Sequence, residues 1–301
     1  MNHAAEYDII CLQEMFGAFS WRRAKFIAEA KNLGFCHHFS SPVGMQTLLG
    51  GFLVDGGLLI LSKFPFAAQR CLTFSRGNHS DAVAAKGALY VLIQPSPGQF
   101  LHIFNTHPQA SYPEEGAYPA MTGEEKSCKA RRQQIAELVE FMSQCVRERN
   151  CSQQQESIVL MGDLNVNART SAENPASSVE YSMLKSSLGR LGIAQDLVLA
   201  HTGEHPVTFG DVEETGGFRK PKEVVLTEAS ERMTQQSLDY IWLIHRQGKG
   251  TTPLLECSSC QVNPVAAGMT GTSRGGAKDL GELLQLSDHY AVQASFVKIQ
   301  K

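Results

Sequence analysis

The chain has 301 residues, 43% of them apolar and 19% charged, with a formal net charge of −3. That is enough for one large core, and the near-neutral balance lacks the basic footprint of a nucleic-acid-binding protein. No apolar run reaches the ~18 residues of a membrane-crossing helix and no basic-then-apolar leader opens the chain, so an intracellular protein, cytoplasmic or peripheral on a membrane, is expected.

Tyr7–Leu12 reads as a strand, an apolar run ending at Gln13-Glu14. Ser20 is placed to cap a helix through Leu33, with Gly34 as its stop. Phe35–Ser40 and Gly57–Ser62 follow as strands, then Gly87–Gln94 and Phe100–Thr106, an antiparallel pair joined by Pro95-Ser-Pro-Gly98. Glu124–Arg149 is the clearest helix, because Ile135, Leu138, Val139 and Met142 recur at helical spacing. Ser157–Met161 reads as a buried strand, Val179–Leu188 as a short helix, and Ser237–Ile244 and His289–Val297 as further strands. Pro108–Gly123, Thr202–Gln236 and Asn263–Gln285 read as long loops, either substrate loops or tolerated insertions. No repeat or linker divides the chain, so a single catalytic domain over 1–301 is expected.

Several of these apolar runs end in an acid, amide or imidazole: Glu14, Asn105-Thr-His107, Asp163-Leu-Asn165, Asp239 and Asp288-His289. Strand ends that gather at one rim of a sheet are where α/β proteins build sites. Carboxylates and amides are the hard ligands, and histidines the proton carriers, that phosphoryl chemistry requires. Asp163 and Asn165 are two apart and share a side on an extended backbone, whereas Asp288 and His289 face apart. The eight cysteines fit a reducing compartment, and Cys257-Ser-Ser-Cys260 has no second pair to complete a zinc site. The basic run Arg219-Lys220-Pro221-Lys222 reads as solvated loop.

Leu12-Gln-Glu14, Gly162-Asp-Leu-Asn165 and Ser287-Asp-His289, in this order, resemble the endonuclease/exonuclease/phosphatase superfamily from Asp8 to Phe296. The resemblance implies an α/β fold, a four-layer α/β/β/α sandwich of two packed mixed sheets, and phosphoester hydrolysis with Mg2+ or Mn2+. It implies metal ligation by Glu14 and Asp288, and a catalytic set of His107, Asp163, Asn165, Asp239 and His289. Within that set Asp163 and Asn165 orient water and phosphate, Asp239 holds His289, and His289 serves as general base or phosphate contact. Family members begin with a strand ending in a metal-binding Asn; here only Met1–Glu6 precedes the first strand, so an N-terminally incomplete domain lacking that strand is expected.

Gly56–Pro65, Asn105–Ala110 and Asp81-Ala-Val-Ala-Ala-Lys86-Gly87 resemble neutral sphingomyelinases and related phospholipase C enzymes. That resemblance implies a phospholipid substrate met at a membrane surface, sphingomyelin cleaved to ceramide and phosphocholine, and no nucleic-acid partner. Asp81 and Lys86 are then either a substrate contact or switch, or an ordinary surface pair. A nuclease, an inositol-phosphate phosphatase and a catalytically impaired binding domain are the alternatives. Met45–Val54, with Leu48, Leu49, Phe52, Leu53 and Val54, is either a lipid-dipping loop or core.

Overall fold

Alternation along the central strands sorts their side chains onto two faces, and each face has its own core. The computed structural model describes residues 2–18, 20–44, 47, 49–112, 126–147, 154–246, 251–265 and 285–300. On β5 (Gly87–Ser96), Ala88, Tyr90 and Leu92 enter one cluster, and Leu89, Val91 and Ile93 enter the other. The same period of two divides β7 (Gln154–Asp163) and β11 (Asp239–His245), where Trp242 and Leu243 point to opposite cores.

These strands belong to a mixed sheet of order β4-β5-β6-β7-β11-β8, with β12 (Thr251–Pro253) also beside β7. β4 is Ala68–Thr73, β6 is Gln99–His107 and β8 is Ile193–Asp196. Two helices cover its outer face: α2 (Lys126–Arg147) and α3 (Val179–Leu188). α2 presents Ile135, Leu138, Val139 and Met142 to Tyr90, Phe104 and Leu160. Truncating the fully buried Leu138 to alanine should cost about 2–5 kcal/mol.

The inner face packs on a second layer. β1 (Ile9–Leu12), β2 (His37–Ser40) and β3 (Leu59–Ser62) form an antiparallel sheet of order β1-β3-β2. β13 (Leu255–Asn263) and β14 (Ala291–Lys298) form an antiparallel pair beside it. α1 (Arg22–Asn32) closes the far side with Phe26, Ile27 and Ala30 on Leu59 and Leu61. The expected α/β/β/α sandwich is therefore the architecture found, its larger sheet mixed and the second layer antiparallel among the described residues.

Several expectations change in detail. Ser20 lies one residue before the helix N-cap, Trp21, although its Oγ accepts the Arg22 N–H at 3.1 Å. Gly34 has the left-handed φ of 91° expected of a helix stop. Thr202–Gln236 contains a hairpin, β9 (Val212–Thr215) with β10 (Phe218–Pro221). The basic run lies on that hairpin, where Lys220 pairs with Glu213 at 2.9 Å, Lys222 with Asp211 at 2.6 Å and Arg219 with Glu173 at 3.4 Å. Asn2–Glu6 forms a 3-10 turn, and among the described residues β1 is paired on one side only. Pro108–Gly123 and Asn263–Gln285 fall largely outside the described residues.

Candidate active site

Register brings the polar strand ends together. β6 and β7 run parallel with Thr106 opposite Gly162, so His107 and Asp163 emerge at the same rim. β11 runs antiparallel to β7 with Asp239 directly opposite Asp163, which adds a second carboxylate there. β5 begins opposite His107 at Gly87, and Lys86 immediately precedes it.

Gly162 is required at this corner: its φ is 143°, and a Cβ on it would stand 2.1 Å from the Thr106 carbonyl. The chain then turns instead of staying extended. Asn165 is left-handed at φ 52°, and its N–H donates to Asp163 Oδ1 at 2.8 Å, the local bond that asparagine-rich turns exploit. Asp163 and Asn165 still share a side, but through this turn. Asn165 Nδ2 donates to the Pro108 carbonyl at 3.1 Å, beside His107.

His289 precedes β14 and reaches the rim from the second layer. Its Nδ1 stands 2.8 Å from Asp239 Oδ2, and its Nε2 4.0 Å from Asp163 Oδ2. Phe209 supports the ring at a centroid distance of 4.7 Å. Burial pulls the imidazole down, but Asp239, Asp163 and Asp288 outweigh it and raise it to about 10. Burial and the Asp239 charge push Asp163 up to about 7, against the pull of His289, the Asn165 amide and Lys86. The two acids and the imidazole offer ligand atoms within 4.8 Å of one another.

Asp81 and Lys86 are not a surface pair. Their side chains are each 7% exposed and 3.0 Å apart, and Asp81 also accepts the Ala110 N–H at 2.8 Å. Lys86 Nζ stands 3.0 Å from the Pro108 carbonyl and 3.2 Å from His107 Nε2. Burial, then the Lys86 and His289 charges, hold His107 well below the ordinary histidine value. His107 is therefore neutral at pH 7, and an ammonium touches its Nε2.

Glu14 stands just past β1, exposed, at a left-handed φ of 57°. Gln13 anchors this end to the large sheet: its Nε2 donates to Asn105 Oδ1 at 2.7 Å, while Asn105 Nδ2 donates to the Leu12 and Leu59 carbonyls. Glu231 is a carboxyl that sequence reading missed. Burial raises its pKa, the charges of Glu228, Asp288 and Glu14 raise it further, and His289 draws it down. Glu231 lies in the stretch read as a polar loop, with no apolar run before it to mark it. Sequence reading also passed over Asn105 as a clamp, and Asp55, whose Asp-Gly-Gly turn before a buried strand was the available signal.

The donor set suits a hard divalent cation: carboxylates dominate, an amide and imidazoles flank them, and the described thiols lie elsewhere in the fold. The seven described cysteines are free thiols, and Cys257 and Cys260 lie on β13.

The chain matches the Endonuclease/Exonuclease/phosphatase family over residues 2–289. It is 31% identical over 340 aligned residues to a sphingomyelinase of Dictyostelium discoideum, a match spanning 99% of this chain and 73% of that protein. Against sphingomyelinase C of Bacillus cereus it is 31% identical over 132 residues, 44% of this chain and 35% of that protein. Among solved structures it resembles a Staphylococcus aureus beta toxin mutant with bound magnesium ions, at TM-score 0.57 and 20% identity, covering 95% of this chain and 86% of that one. Sphingomyelinase C from Streptomyces griseocarneus gives TM-score 0.55 at 19% identity, covering 97% and 90%.

Proposed function

Because the chain belongs to the endonuclease/exonuclease/phosphatase family, we propose that it is a metal-dependent phosphodiesterase that hydrolyses a phospholipid, sphingomyelin to ceramide and phosphocholine. Relatives named sphingomyelinase support a phosphoric diester hydrolase. The observation that carries the reading is the convergence of Asp163, Asp239 and His289 at the rim that also presents His107 and Asn165.

In this reading Glu14 and Asp288 hold Mg2+ or Mn2+. Such a cation, when bound, neutralises phosphoryl charge and acidifies a coordinated water. The protein's own groups do the rest. Asp239 fixes the tautomer and orientation of His289, leaving Nε2 to handle the water proton. Three carboxylates keep that imidazole protonated, so its service as base requires their negative charge to be balanced. Asp163 and Asn165, locked by their turn, orient water and phosphate. Neutral His107, backed by the Lys86 ammonium, supports charge developing on the phosphoryl oxygens. Asp81 keeps that ammonium in place.

The near-neutral chain and the acid-paired basic run disfavour a nucleic-acid substrate. The test is a parallel assay of sphingomyelin vesicles, lysophospholipid and DNA, each with Mg2+ and with chelator. Cleavage of sphingomyelin that chelator abolishes is expected. Cleavage of DNA alone, or lipid hydrolysis indifferent to chelator, would overturn the reading.

A further inference from the structure

The turn that carries Glu14 is tied down by a group with no place yet in the chemistry. Asp55 is 0% exposed, and a carboxylate so placed persists only if donors surround it. Its Oδ2 accepts the N–H groups of Gly17 at 2.8 Å and Ala18 at 2.9 Å. Its Oδ1 accepts the Gly57 N–H at 3.0 Å and the Arg23 guanidinium at 2.9 Å. Arg23 Nη1 reaches on to the Met15 carbonyl at 3.4 Å, and the Met15 N–H donates to the Gly57 carbonyl at 2.7 Å.

Glu14 is the residue these contacts enclose. Its left-handed φ of 57° strains a non-glycine residue and survives only where the surroundings impose it. Gly57 lies against it: a Cβ there would stand 3.1 Å from Glu14 Cα, at a φ of 66°. The Glu14 backbone is held as well by Arg22, whose Nη2 donates to its carbonyl at 2.6 Å, so the turn sets where the side chain leaves the backbone.

We infer that Asp55 is a positioning residue for the candidate metal site, fixing through Arg23 and the amides of Gly17, Ala18 and Gly57 the turn that aims the Glu14 carboxylate. The inference rests on the reading that Glu14 holds a divalent cation.

Calorimetric titration of Mn2+ into the purified chain, with a thermal melt of each variant, tests it. Asp55→Asn places an amide donor where backbone donors need an acceptor and removes the charge opposite Arg23. Folded Asp55→Asn should bind Mn2+ about 10–100-fold more weakly, the usual effect of disturbing a group behind a metal ligand. Combined with Glu14→Gln it should add no further loss, because it acts through Glu14. A purely structural Asp55 would lower the melting temperature and spare the affinity. Wild-type affinity in folded Asp55→Asn would overturn the inference and leave the metal reading intact. Equal affinity of wild type and Glu14→Gln, or no binding by wild type, would overturn both. If Asp55→Asn does not fold, Arg23→Gln keeps the three amide contacts; weaker binding is expected, and unchanged affinity overturns the inference.

Discussion

Asp163 and Asp239 face each other directly across the β7–β11 ladder, and both belong to the cluster around His289. Like charges so placed repel, and the imidazolium of His289 offsets that repulsion. Its pKa is raised from 6.5 to about 10, so this stabilisation is lost as pH rises through 10, while as pH falls through about 7 Asp163 itself protonates and the repulsion lapses.

His289→Ala should therefore reduce turnover about 10²–10⁴-fold, the usual contribution of a proton-transfer group. It should also lower the melting temperature of the metal-free chain at neutral pH. Adding Asp239→Asn should restore melting without restoring turnover. A His289→Ala variant with wild-type turnover would dismiss the mechanism.

Lys86→Met strands the Asp81 carboxylate in the interior. Breaking a buried pair from one side costs about 3–5 kcal/mol, and urea melts should register a loss of that order. The double variant Asp81→Asn/Lys86→Met should recover much of it. If single and double variants are equally stable, the pair carries no such coupling.

Acid should weaken the chain through His205. Burial, then Arg169 and Lys185, lower its pKa from 6.5 to about 4, so between those values the unfolded chain binds the proton that the folded chain refuses. Stability falls as pH drops through this window. His205→Gln should flatten that slope in melts taken at pH 7, 6, 5 and 4; an unchanged slope would refute the assignment.

The segment Met45–Val54 divides between its two readings. Phe52 is core at 7% exposure, whereas Leu49 and Leu53 are 81% and 63% exposed; Leu48 lies outside the described residues. Leu53 and Val43 line a recess of about 390 Å³ together with Gly17 and Ala18, just past Glu14. Leu49→Ser with Leu53→Ser should weaken vesicle binding, with melting temperature and activity on a soluble phosphodiester unchanged. Phe52→Ser should lower the melting temperature instead. Unaltered vesicle binding in the Leu49/Leu53 variant would remove this loop from membrane docking.

His107 and Asp163 were legible because each ends an apolar run, which fixes both the strand and its end. Asp239 opens its strand and His289 precedes one, and Asp239 meets Asp163 by antiparallel register. What escaped lacks this signature. β4 is an edge strand, Ala-Gln-Arg-Cys-Leu-Thr, and β13 spells Leu-Glu-Cys-Ser-Ser-Cys-Gln-Val-Asn, so neither offers the continuous apolar run that marks a buried strand. The β9–β10 hairpin is held by cross-strand ion pairs more than by a core. Asp55 and Glu231 act through tertiary neighbours remote in sequence.

Among the described residues β1 is bonded only to β3, and β14 only to β13, while the Tyr7 hydroxyl donates to Gln293 on β14. Ile9, Cys11, Val292, Ala294 and Phe296 lie along these borders only partly buried. The Tyr7 hydroxyl therefore acts as a rivet between the two sheets of the second layer, and the seam it closes lies on the side of the sandwich that carries both Glu14 and His289.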